Sequence, residues 1–163
     1  MKDLSDMWIN EALATYAECL YAELNYGKEI YTKYTNWKRN YLLNDSPAIP
    51  PRYTNVQGSF DMYYKGALMF HSIRNIMQND DLFFATLKNI MNKYKYQSIS
   101  TEEFINDFKH FTNTDYTHIF YEYLKNTNKP LLKYKFKHRK SIQIFFWKFS
   151  IIFFDKLNTF LSS

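Results

Sequence analysis

The chain has 163 residues, a formal net charge of +5, 46% hydrophobic and 23% charged residues. That is the size and balance of one globular domain with a buried core, and it excludes a disordered polyelectrolyte. The one cysteine, Cys19, excludes an internal disulfide, and a charge excess this modest implies no nucleic-acid partner.

Gly (3) and Pro (4) are scarce, which predicts few tight turns and long helices, and Tyr and Phe (15 each) are abundant. Met1–Asp6 lacks the apolar stretch of a signal peptide. Residues 6–25 form the first predicted helix, with Asp6 as its N-cap and Gly27 as its break. Its apolar side runs through Leu13, Ala14, Ala17, Leu20, Tyr21 and Leu24, extended by Trp8 and Ala12, and leaves a narrow polar remainder of Glu11, Thr15 and Glu18. A helix apolar on most sides expects neighbours on most sides. Cys19 falls inside it, where an inert buried thiol is the default.

A second helix is predicted over 28–43, with Ile30, Tyr31, Tyr34, Trp37 and Leu42 as core contacts. Pro47, Pro50, Pro51 and Gly58 make 44–58 a loop, long enough to suggest a functional or covering role. A third helix over 60–78 carries Met62, Gly66, Met69, Phe70, Ile73 and Met77 in helical register. Asp80-Asp81 opens a fourth helix, to about Tyr94. Ser100 and Glu103 form a capping-box pattern before a fifth, to about His110. A sixth covers roughly 115–126. Beyond Pro130, Leu132, Tyr134, Phe136 and His138 alternate with basic residues, as a strand does. The apolar, aromatic run 142–154 is too short to span a membrane, which takes about 20 residues.

Two segments carry chemistry. Asp6-Met7-Trp8-Ile9-Asn10-Glu11-Ala12-Leu13-Ala14-Thr15-Tyr16 resembles the third-ligand helix of the aminopeptidase N (membrane alanyl aminopeptidase) family of zinc metallopeptidases. Tyr63-Tyr64-Lys65-Gly66-Ala67 resembles the same family's Tyr-x-Lys-Gly-Ala helix. Phe83-Phe84, Lys95-Tyr96, Thr101-x-x-Phe104 and Pro130-Leu131-Leu132-Lys133-Tyr134 follow in the family's order, so the similarity covers roughly residues 3–137. The resemblance implies a mainly α fold: the helical C-terminal half of a thermolysin-like catalytic domain over 1–130. One or two β-strands follow in 131–163, as the start of a further β-domain or a degenerate tail. It implies zinc as cofactor, peptides as substrates, and removal of N-terminal residues as the reaction. It makes Glu11 the metal ligand and Tyr63 the donor to the oxyanion, the job of a phenol aimed where negative charge develops.

Three features depart from the family. Ala12 replaces a glycine after the ligand and is expected to crowd the metal helix. Phe60 stands where a small residue is common in bacterial relatives. The HExxH helix, which supplies two histidines and the general base in such sites, does not occur in the chain, nor does a Gly-x-Met-Glu-Asn amine-binding segment. His71, His110, His118 and His138 offer no replacement. The expectation is a piece of such an enzyme, inactive alone, or one completed by a separate chain carrying HExxH. The alternative is a non-catalytic interaction module using the basic (Lys133–Lys140) and aromatic C-terminal surface. His71 is expected to be structural, and Lys65 a local salt-bridge or surface residue rather than a catalyst. Glu18, one heptad from Glu11, is read as part of the polar stripe rather than a second acid/base carboxylate.

Overall fold

The computed structural model describes residues 2–128. The strand expected over 131–139 and the aromatic run 142–154 lie outside them. Within them the protein is mainly helical. A short 3-10 turn, Leu4–Asp6, leads into α1 (Trp8–Asn40), α2 (Asp61–Met77), α3 (Asp80–Lys93), α4 (Thr101–Thr112) and α5 (Thr117–Lys125).

The first two predicted helices are one element, α1, broken at Gly27, whose backbone adopts φ 82° and ψ 176°. Only glycine enters that region without strain. The chain folds back there. Tyr34 and Lys38, after the break, reach Glu18 before it, while Tyr31 and Trp37 meet His71 and Tyr64 of α2.

Asp6 does not cap α1. Asp3 caps the 3-10 turn by accepting from the Ser5 amide, and the buried Asp6 carboxylate turns to α4. Its Oδ1 accepts from the Thr101 amide and hydroxyl, both at 2.8 Å, and Arg52 reaches it from the loop. A carboxylate at a helix N-terminus satisfies orphan amide donors wherever it comes from in the sequence. The Ser100–Glu103 capping box forms as its spacing predicts.

The most enclosed helix is α2, nearly every residue of which is buried from Asp61 to Asn75. Around it buried aromatic rings pack against one another. Trp8 lies edge-on to Phe104 (5.5 Å), Phe108 to Phe120 (5.4 Å) and Tyr16 to Phe83 (6.1 Å). Such tilted and T-shaped pairs add to the area they bury.

On α1 the buried side differs from the expected one. The expected Trp8, Ala12 and Leu20 do lie on it, but it continues through Thr15, Tyr16, Cys19 and Glu23. Leu13, Ala14 and Ala17 are half-buried, and Leu24 and Tyr21 are exposed. Periodicity cannot rank the sides of a helix that is apolar nearly all round. Packing chose the side where small residues admit α2 and where polar groups find partners.

Candidate functional site

Glu11 lies in the first turn of α1. Trp8, three residues earlier, anchors that turn: its ring is fully buried and its Nε1 donates to Thr101 Oγ1 at 2.9 Å. Tyr63 lies in the first turn of α2, which is pinned from two directions. The Asp61 carboxylate accepts from the amides of Leu43 (2.9 Å) and Asn44 (2.8 Å), closing the 41–60 loop. Lys65 Nζ donates to the Asn126 carbonyl at 2.5 Å, tying in the end of α5. Lys65 is therefore neither a surface residue nor a salt bridge on the rim. It is buried, and burial lowers its pKa.

The structure brings Glu11 and Tyr63 together. Burial, then the charge of the Glu11 carboxylate, then a hydrogen bond to it raise the Tyr63 pKa above the ordinary phenol value. The hydroxyl thus stays protonated at neutral pH and remains a hydrogen-bond donor. Both side chains are half-buried, open to a ligand yet partly screened from water. Beside them, Phe60 is 74% exposed and stacks on the Tyr63 ring at 5.7 Å. Nothing in the sequence linked these two rings beyond their i, i+3 spacing.

Ala12 does not crowd Glu11 out of place, because Gly66 faces it. A β-carbon on Gly66 would stand 2.3 Å from Ala12 Cβ, so the methyl occupies the space a glycine leaves.

Glu18 takes no part in this pair. Its Oε2 accepts from Lys38 Nζ at 2.8 Å and Tyr34 Oη at 3.1 Å. The Lys38 ammonium also lies over the rings of Tyr34 (4.3 Å) and Tyr64 (4.7 Å). His71 is buried with Tyr31 Oη 2.6 Å from Nδ1 and Asn75 Nδ2 3.1 Å from Nε2. Burial and then the nearby Arg74 push its pKa down to about 3, so it is a neutral core residue. Cys19 is buried and its pKa is pushed up to about 12, chiefly by burial, which makes it inert.

One constellation escaped the sequence reading. The buried Arg74 guanidinium bridges Glu23 (2.7 Å, α1) and Asp80 (2.9 Å, start of α3). The available signal was Glu23 itself, a charged residue in helical register with Trp8, Ala12 and Cys19.

Among the described residues no group of three or more His, Cys, Asp or Glu side chains comes together. Glu11 is one carboxylate donor, and the residues around it do not by themselves fit a zinc ion, which takes at least three protein ligands. An open cavity of about 370 Å³ is lined by Asn106, Lys109, His110, Asn113, Thr114 and Asp115 and includes neither Glu11 nor Tyr63. A family model described as the peptidase family M1 domain matches residues 1–123, a span that holds both Glu11 and Tyr63. No curated protein and no solved structure matches the chain.

Proposed function

Since the chain belongs to peptidase family M1, a family of zinc metallopeptidases, we propose that it carries one half of the catalytic centre of a metallo-aminopeptidase that removes N-terminal residues from peptides. The juxtaposition of Glu11 with Tyr63 across the α1–α2 crossing carries this reading. In it Glu11 is the metal-ligand carboxylate. Tyr63, protonated at neutral pH, donates a hydrogen bond to the carbonyl oxygen of the scissile peptide as negative charge develops there. A donor fixed in advance and partly withdrawn from water stabilises that charge better than water does.

Two further ligands and the general base belong to an HExxH segment, a motif absent from the 163 residues. The chain by itself is therefore inactive, and a segment or separate chain carrying HExxH completes it. The stripe of Leu13, Ala14, Ala17, Tyr21 and Leu24 supports this reading: it lies on the helix that bears Glu11, and it is left half-buried to exposed. An apolar helix face beside a candidate ligand is the surface another helix would need.

The test is hydrolysis of an aminoacyl anilide in the presence of zinc. The purified chain is expected to show none. Addition of a polypeptide bearing an HExxH helix is expected to produce zinc-dependent hydrolysis that Glu11→Gln and Tyr63→Phe each abolish. Hydrolysis by the chain alone would overturn the half-site reading, and complemented activity indifferent to Tyr63→Phe would overturn the role of that residue.

A further inference from the structure

The close approach of α1 and α2 turns on one pair of residues. Ala12 follows Glu11 in the chain, and Gly66 lies one turn after Tyr63. A β-carbon built on Gly66 would meet Ala12 Cβ at 2.3 Å and Ala12 Cα at 3.2 Å, and the third nearest atom is also of Ala12. The crossing has room for one methyl group. Other contacts press the helices together there: Phe70 of α2 packs against Trp8 (6.3 Å) and Tyr16 (5.9 Å), one turn to either side of Ala12. The methyl is what stops them.

We propose that Ala12 and Gly66 are positioning residues, the single methyl at their contact setting the distance between the Glu11 carboxylate and the Tyr63 hydroxyl. This rests on the reading that those two groups act together. Glu11 and Tyr63 lie within one turn of the contact, so a change in helix separation passes to them almost undiminished. Misplacement of reacting groups by about 1 Å costs on the order of 100-fold in rate. A second methyl would therefore disable the pair while leaving a helical protein.

The experiment compares Gly66→Ala, Ala12→Gly and the double variant A12G/G66A in the full chain. The readouts are the nuclear Overhauser contact between the Tyr63 ring protons and the Glu11 side-chain methylene, and the thermal melt. Gly66→Ala is expected to weaken the contact several-fold at temperatures where the protein stays folded. The Tyr31–His71 contact, at 5.5 Å between rings, serves as an internal control and stays unchanged. The double variant moves the one methyl from α1 to α2 and recovers most of the signal, not all, because 3.2 Å from the Ala12 α-carbon is still tight. Ala12→Gly alone keeps or strengthens it.

An undiminished contact in Gly66→Ala, or no recovery in the double variant, overturns the proposal. Where Gly66→Ala fails to fold, the double variant decides: folded with the contact restored supports it, unfolded overturns it. The readout needs neither metal nor turnover. A failure of the hydrolysis test would sink the functional reading without touching this result, and the reverse holds as well.

Discussion

The α1–α2 interface holds two polar constellations, and they differ in how fully they are satisfied. At one end Glu23, Arg74 and Asp80 are buried and bonded to one another, with neutral His71 held nearby between Tyr31 and Asn75. At the other end Glu11 and Tyr63 are half-buried, and each retains capacity for further bonds. A buried group that has spent its hydrogen bonds on the protein has none left for a ligand. A group held in place with bonding capacity to spare is what a site needs. The same two helices thus carry a structural clamp and, twelve residues earlier on α1, a candidate catalytic pair.

That contrast can be broken at the clamp first. Arg74→Leu leaves two carboxylates buried without a cation, and breaking a buried ion pair in this way costs about 3–5 kcal/mol. Chemical denaturation is expected to show that loss, or no folded state at all. Gly27→Ala comes next. No atom lies within 4 Å of a β-carbon there, so the penalty is purely the backbone conformation, about 1–3 kcal/mol, seen as a lower thermal midpoint.

The third test is pH. The folded pKa of His71 lies at about 3, below its ordinary 6.5. Between those values the unfolded chain binds a proton that the folded protein does not. Stability therefore falls as pH drops through that window, by up to about 1.4 kcal/mol per pH unit for one proton. Glu103 is also depressed, to about 2 from 4.5, mainly by its hydrogen bond from Lys2, so its contribution is lost only below 4.5. The interval from 6.5 to 4.5 isolates His71, and His71→Gln is expected to flatten the slope of denaturation free energy against pH there.

At the open end the expected stability effects are smallest. Glu11→Gln and Tyr63→Phe should each change stability by less than about 1 kcal/mol, since half-exposed groups can exchange a lost partner for water. Losses there as large as at Arg74 would erase the distinction between clamp and site. Native Cys19 should resist alkylation at mildly alkaline pH and react only on unfolding, as its burial requires.

Glu11 and Tyr63 stand out as candidates because their neighbours form recognisable local motifs, and motifs survive without knowledge of the fold. The Ser100–Glu103 box and the Gly27 break were legible for a related reason: both are interactions among residues a few positions apart. Asp6 and Lys65 were misread because their partners lie far away in the sequence, at Thr101 and at Asn126.

The sequence by itself determined the family, the helical class, the order of the helices, and which two residues are candidates for the chemistry. These follow from short-range spacing, capping and motif. Only the tertiary structure decided that Ala12 meets Gly66, that Glu23 and Asp80 share Arg74, and which side of α1 is buried. Those outcomes depend on steric fit and charge pairing between residues dozens of positions apart, and no local pattern encodes a contact whose partner it does not contain.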